Sequence, residues 1–127
     1  MRRLATLAAA VLLVAGCGAT GDDAGSGEGD SGGGCHDAAD GRVTLVADDL
    51  QWDTDCLRSP AGPLTIEVDN RDDGQNHNVH LPDAPGAPAT DLEQGPSKQE
   101  LDVELAAGSY EFICDLHPNM VGTLTVG

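Results

Sequence analysis

The segment GSYEFICDLHPNMVGTLTV, residues 108–126, carries the clearest structural pattern in the chain. Apolar and polar residues alternate from Tyr110 to Cys114, which is the period of a half-buried β-strand. Pro118 interrupts regular structure, and alternation resumes in the apolar run after Gly122. The segment therefore predicts two strands joined by a tight loop, and this loop collects cysteine, histidine and methionine side chains.

Similar alternation recurs through the preceding residues, between clusters of Gly, Pro, Asn and Asp. The alternating runs cover residues 42–47, 62–69, 77–81 and 101–105. No long stretch has a helical period, and we expect only one short helical turn, at residues 89–94. Recurring short strands of this kind predict an all-β, two-sheet sandwich whose core is assembled from alternate residues.

The N-terminal part of the chain is predicted to lie outside this fold. Residues 1–16 begin with two arginines followed by an apolar run shorter than the ~20 residues of a membrane span, as in a signal peptide. The sequence VAGC at residues 14–17 resembles a bacterial lipobox, so Cys17 is the expected lipidation site. An ordinary signal peptide with an incidental cysteine is the alternative. Residues 17–34 are predicted to be a flexible Gly-rich, acidic linker, and residues 35–127 the folded domain.

The charge of the chain limits its partners. It has 22 acidic against 6 basic side chains, a net charge of −16. Such a surface repels nucleic acid and anionic lipid head groups, and it favours a protein partner with a basic patch. With the signal-like segment and the lipobox, we expect an exported protein, anchored by lipid to the outer face of the cytoplasmic membrane or in the periplasm. We expect it to be a monomer.

The four cysteines are expected to have different roles. With Cys17 assigned to lipid, an odd number remains in a compartment where disulfides persist. Cys35 and Cys56 flank the first predicted strands and are the expected disulfide partners. Cys114 is then left for another role, in the loop described above.

That role is predicted to be metal binding. Cys114, His117 and Met120 offer a thiolate, an imidazole and a thioether within seven residues. Sulfur donors with imidazole suit copper, whereas zinc, the main competitor, prefers Cys and His. His77 is the candidate for the second imidazole, because it begins an alternating strand on the inward face. His80 is expected to point away.

These residues and their order resemble the cupredoxins, the type 1 blue-copper proteins, and especially the amicyanin-like and plastocyanin-like members. NHNVHL at 76–81 is similar to the strand that carries the first copper ligand, GSYEFIC at 108–114 to the penultimate strand, and VGTLTV at 121–126 to the closing strand. The resemblance implies a Greek-key β-sandwich. It also implies one copper ion, Cu(I) or Cu(II), held by His77, Cys114, His117 and Met120.

Two further residues beside the ligands gain expected roles. The resemblance implies that Asn78 ties the first-ligand strand to the loop that carries the cysteine. Leu116 stands where the family often has proline, so it has a backbone N–H that we expect to bond the Cys114 sulfur. Asp115 is expected to be solvated.

The function expected from the resemblance is one-electron transfer between redox partner proteins. Copper scavenging or delivery outside the cell would use the same ligands, and a zinc-binding or metal-free adhesion module is a third reading. The sequence offers no acid–base or nucleophile–base pair, and four protein ligands leave no open metal position for a substrate. We therefore do not expect an enzyme.

Overall fold

The computed structural model describes residues 34–127. The predicted signal peptide, Cys17 and nearly all of the predicted linker lie outside these residues. Within residues 34–127, no helix is long and apolar enough to cross a membrane.

In the described part of the chain, ten strands form two four-stranded sheets and one two-stranded ribbon. Their bounds are β1 His36–Asp37, β2 Arg42–Asp48, β3 Gln51–Trp52, β4 Cys56–Ser59, β5 Gly62–Asn70, β6 Asn76–His77, β7 Glu93–Gln94, β8 Ser97–Leu105, β9 Gly108–Cys114 and β10 His117–Val126. One sheet has the order β1-β4-β10-β9, the other β3-β2-β5-β8, and β6 pairs with β7. The expected all-β, two-sheet sandwich is confirmed.

The core lies between the two sheets and follows the predicted alternation. In β5, Leu64, Ile66 and Val68 are almost fully buried, because every second side chain of a strand points to the same face. Phe112 of β9 and Leu124 of β10 face them from the other sheet and are completely buried. The apolar core therefore fixes the positions of the strands whose ends carry the predicted ligands.

Gly122 shows how closely β9 and β10 are packed. A Cβ atom at this position would overlap the Phe112 ring and the backbone carbonyl of Asp55. The Thr123 N–H donates to that same carbonyl at 2.9 Å. Only glycine allows the closing strand to approach both neighbours at this point.

Three local expectations differ from the structure. The predicted strand 77–81 is a strand only at its start, and His80 then makes two isolated bridges, to Ala89 and to Ile113. The helical turn predicted at 89–94 is wrong: Ala89 bridges His80 and Glu93–Gln94 form β7, because this segment lies beside the His77 segment and pairs with it. Pro118 does not end the strand: β10 begins at His117, with an irregularity before Val121.

Candidate metal centre

The Cys-His-Met segment forms a tight hairpin. Cys114 ends β9 and His117 begins β10, and the two residues are directly opposite in the antiparallel pair. Opposite residues place their side chains on the same face of a sheet, so both side chains point to one spot. The register then shifts between His117 and Val121, and this bulge turns Met120 inward, where it is 1% exposed.

His77 reaches the same spot from the end of β6. Its Nδ1 lies 3.7 Å from the Cys114 sulfur, and the Nδ1 of His117 lies 3.5 Å from that sulfur. One donor atom from each of the three residues lies within 4.8 Å of the others. His77 and Cys114 are buried and His117 is half-buried. The structure therefore brings together two chain segments separated by 37 residues.

The spacing of these donors suits a single metal ion. Nitrogen and sulfur ligands bond a metal such as zinc at about 2.0–2.3 Å, so two of them at trigonal or tetrahedral angles lie about 3.5–3.8 Å apart. Both sulfur–nitrogen distances fall in this range. The Met120 side chain packs in the same buried cluster as Cys114 and Ala47, beside Trp52. Two imidazoles, a thiolate and a neighbouring thioether are the donor set of a blue-copper site.

The protonation states also suit a metal. Burial lowers the pKa of His117, and the neighbouring charge of His77 lowers it further. A lowered pKa favours the neutral imidazole, which is the form that binds metals. The Nε2 of His77 is 2.8 Å from the Asp72 carboxylate. A proton on Nε2, donated to this carboxylate, leaves the Nδ1 lone pair facing the cysteine sulfur.

Asp72 is a residue of the site that the sequence analysis missed. Although burial raises the pKa of its carboxyl, the N–H groups of Leu50 and Asp49 and the His77 imidazole outweigh this effect and lower the pKa. The carboxylate is therefore ionised beside a buried imidazole, an arrangement that orients histidine ligands. Its only signal in the sequence was an acidic residue five positions before His77.

Asn78 connects the His77 segment to the cysteine hairpin. Its Oδ1 accepts the backbone N–H of Asp115 at 2.9 Å, and its Nδ2 donates to the Asp115 carboxylate at 2.8 Å. A bond of 3.3 Å from the same Nδ2 to the Thr90 carbonyl holds the side chain from a third segment. Asn78 is 2% exposed, although the strand alternation places it on the outward face.

His80 and Asp115 form a pair at the edge of this connection. The Nδ1 of His80 is 2.8 Å from the Asp115 carboxylate, so His80 points away from the donor cluster. Hydrogen bonds from Asn78 and then His80 lower the pKa of Asp115. Asp115 is exposed, as expected, and its carboxylate is in addition hydrogen-bonded to Asn78 and His80.

The expected bond from Leu116 to the Cys114 sulfur is absent from the structure. Among residues 34–127, the hydrogen-bonding neighbours of this sulfur are the two imidazole nitrogens. Asp115 and Leu116 form the turn between β9 and β10, and the Leu116 side chain is 50% exposed. In this conformation the residue belongs to the surface around the site.

The other two cysteines of residues 34–127 are bonded to each other. Cys35 and Cys56 form a disulfide that joins the start of the described chain to the first residue of β4. Cys114 is the free cysteine among residues 34–127, and it is buried. The thiol beside the two histidines is therefore not consumed by a disulfide.

Comparison with known proteins places this geometry in a family. A family model described as a cupredoxin-like domain matches residues 6–126. The reduced Cu(I) form of an amicyanin variant gives a TM-score of 0.57 at 27% sequence identity, covering 71% of this chain and 86% of that chain. The oxidized state of another amicyanin variant gives 0.57 at 26% identity with the same coverage.

Two further results complete the comparison. Reduced auracyanin from the photosynthetic bacterium Roseiflexus castenholzii gives a TM-score of 0.61 at 19% identity, covering 71% of this chain and 99% of that chain, and this likeness concerns the fold alone. A search of curated protein sequences finds no match. Since the family model spans nearly the whole chain, the protein belongs to the cupredoxin-like family.

Proposed function

We propose that the protein is an extracytoplasmic type 1 copper protein that carries one electron at a time between redox partners. His77, Cys114, His117 and Met120 would hold a single copper ion. The observation that carries the proposal is the convergence of both imidazole Nδ1 atoms on the buried cysteine sulfur. The similarity to amicyanin, which was solved in a Cu(I) form, supports copper rather than zinc.

The donor arrangement suits electron transfer because the protein holds it from several sides. Copper bound here would supply the Cu(I)/Cu(II) couple. Cys114 and His117 are fixed by strand pairing, and His77 by Asp72. Asn78 links the two segments. Donors that are held in place move little when the charge of the site changes, and little rearrangement means a low barrier to electron exchange.

The surroundings exclude water from most of the site. Trp52 packs against the cluster of Ala47, Cys114 and Met120, and its ring centroid is 6.4 Å from that of His77. His117 is the partly exposed donor. Its ring edge is therefore the proposed route for the electron.

Three exposed apolar residues lie in the segments next to this route. Leu50, Leu116 and Val121 are 40%, 50% and 39% exposed, although large apolar side chains are usually buried. Leu116 directly precedes His117 and Val121 follows four residues after it, and the Leu50 carbonyl accepts a hydrogen bond from Asn119, which lies between His117 and Val121. A small apolar patch suits a short-lived complex with a redox protein.

Acidic residues at the edge of this patch would select the partner. Asp49 and Asp115 are neighbours of Leu50 and Leu116 along the chain, and both are exposed. The whole chain has a net charge of −16. We propose a partner with a basic docking patch, whose association rate would fall as the salt concentration rises.

We also propose that the chain is exported and held to the membrane by lipid on Cys17. The signal-like residues 1–16 and the lipobox-like VAGC support this location. The disulfide between Cys35 and Cys56 adds support, because disulfides persist in oxidising compartments. Mass spectrometry of the mature N-terminus tests it: a diacylglyceryl group on Cys17 is expected, and an unmodified thiol there would contradict the anchor.

Copper loading of the apoprotein tests the copper assignment. Addition of Cu(II) should give an intense blue absorption in the wild type and in His36→Ala. His36 is a matched control, because its ring bonds Thr44 and lies away from the donor cluster. His77→Ala should lose the blue absorption. A blue His77→Ala protein, or a colourless wild type, would overturn the copper assignment.

Copper release separates electron transfer from the alternative role in copper scavenging or delivery. The burial of His77, Cys114 and Met120 favours a metal that stays in place. The blue protein, reduced and mixed with a Cu(I) chelator, should lose copper over hours while it exchanges electrons with a cationic redox protein within milliseconds. Copper loss within seconds would favour delivery.

A further inference from the structure

The exposed turn between β2 and β3 has an unusual backbone. Asp49 and Leu50 both have positive φ angles, 56° and 59°, and they connect Asp48 to Gln51, which are paired residues of the two strands. A two-residue turn of this kind favours Asn-Gly or Gly-Gly, because only small or short polar residues adopt positive φ easily. Leucine is among the residues least suited to it.

Burial of the Leu50 side chain does not explain this conformation. The side chain is 40% exposed, so packing in the core contributes little to holding it. A strained backbone persists only where the surrounding structure over-determines it, and such positions cluster at functional sites. The contacts of the turn therefore show what holds it.

Each side of the turn is hydrogen-bonded to one of the two segments that carry the metal donors. On one side, the Asp49 and Leu50 N–H groups donate to the Asp72 carboxylate, the latter at 2.9 Å, and the same carboxylate binds Nε2 of His77. On the other side, the Leu50 carbonyl accepts the Asn119 Nδ2 at 2.8 Å. Asn119 lies in the irregular part of β10, between the second histidine and the methionine. One turn thus connects the two segments that supply all four donors.

We propose that Asp49, Leu50, Asp72 and Asn119 form a clamp that positions His77 relative to the Cys-His-Met hairpin. This proposal rests on the proposed copper function. The clamp shares no residue with the connection made by Asn78 and Asp115. It holds the donors from a third chain segment, and it acts through backbone groups that no sequence motif marks.

A double-mutant cycle tests the clamp, with copper loss to a Cu(I) chelator as the readout. Asp72→Asn weakens one side of the turn and Asn119→Ala removes the other. Replacing a partner that orients a ligand typically weakens metal binding 10–100-fold, so each variant should lose copper at least about 10-fold faster. The double variant should lose copper more slowly than the product of the two single effects predicts, because either change opens the same clamp.

A matched pair controls for general weakening. Thr65→Val removes a hydrogen bond to Asp102 between β5 and β8, away from the centre. Combined with Asn119→Ala, it should give rates that multiply. If the rates of Asp72→Asn and Asn119→Ala also multiply, or if Asn119→Ala releases copper like the wild type, the clamp is overturned.

Hydrogen exchange of the Leu50 amide gives a second readout. Asn119→Ala leaves the acceptor of this amide intact, yet it should speed the exchange in the Cu(I) protein about 10-fold, because the turn loses its other support. Unchanged exchange would contradict the clamp. A wild type that does not become blue would instead overturn the copper function, so the two failures are distinguishable.

Discussion

The two segments that form the donor cluster are held in different ways. The Cys114–Met120 segment is a single hairpin, and its donors converge because the turn and the bulge of β10 bring them together. The His77 segment is a two-residue strand, and its position depends on side-chain hydrogen bonds: His77 bonds Asp72, and Asn78 bonds Asp115 of the hairpin, 37 residues away. A metal centre can thus combine a half that is encoded locally with a half that exists only in the folded protein.

The largest expected effect comes from the hairpin itself. Cys114→Ser replaces the soft thiolate with a hydroxyl and should abolish the blue absorption, measured after Cu(II) addition. The Cys35→Ser/Cys56→Ser double variant is the control, since it removes the two disulfide cysteines and should remain blue. A blue Cys114→Ser protein would show that the hairpin is not the source of the colour.

A smaller effect is expected when a support of the His77 segment is removed. Asn78→Ala loses the bonds to Asp115, so copper affinity should fall about 10–100-fold, measured by competition with a chelator. Asn76→Ala is the matched control, because Asn76 lies in the same strand and is exposed. Equal copper affinities for the two variants would show that the Asn78 bonds do not support His77.

The methionine of the hairpin should have a more subtle effect. Met120→Gln exchanges a buried thioether for an amide of similar length, and the axial ligand of such sites tunes the potential more than it holds the metal. The variant should retain copper with a lowered reduction potential and an altered visible spectrum, measured by voltammetry and absorption. Complete loss of copper would contradict this expectation and show that Met120 is needed to retain the metal.

Acid should weaken the supports of the His77 segment before it affects the hairpin strands. The carboxyls of Asp72 and Asp115 have lowered pKa values in the folded chain, below the ordinary value of 3.8. Both therefore stabilise the folded state above about pH 4, and this contribution is lost as the pH falls through the folded pKa values. The thermal unfolding midpoint of the apoprotein should decrease as the pH is lowered below 4. The decrease should be smaller in Asp115→Asn, because this variant lacks one of the two carboxyls.

The fold and the hairpin half of the site were predictable because their signals are local. Alternation marked β2, β5, β8 and β9, and the donors of the hairpin lie within seven residues. The link made by Asn78 was expected from the family resemblance, but the roles of Asp72 and Asn119 were not predictable, because these residues act on a turn that is distant from them in sequence. The short strands β1, β3 and β7 were missed for the same reason, since their pairing depends on tertiary neighbours.

A crystal structure of the copper-loaded protein, with anomalous scattering measured at the copper edge, would show whether both segments bind the same metal ion. We expect one copper bonded to Nδ1 of His77, the Cys114 sulfur and Nδ1 of His117, with Met120 beside it. A copper bound elsewhere, or bound by the hairpin with His77 outside bonding distance, would contradict it.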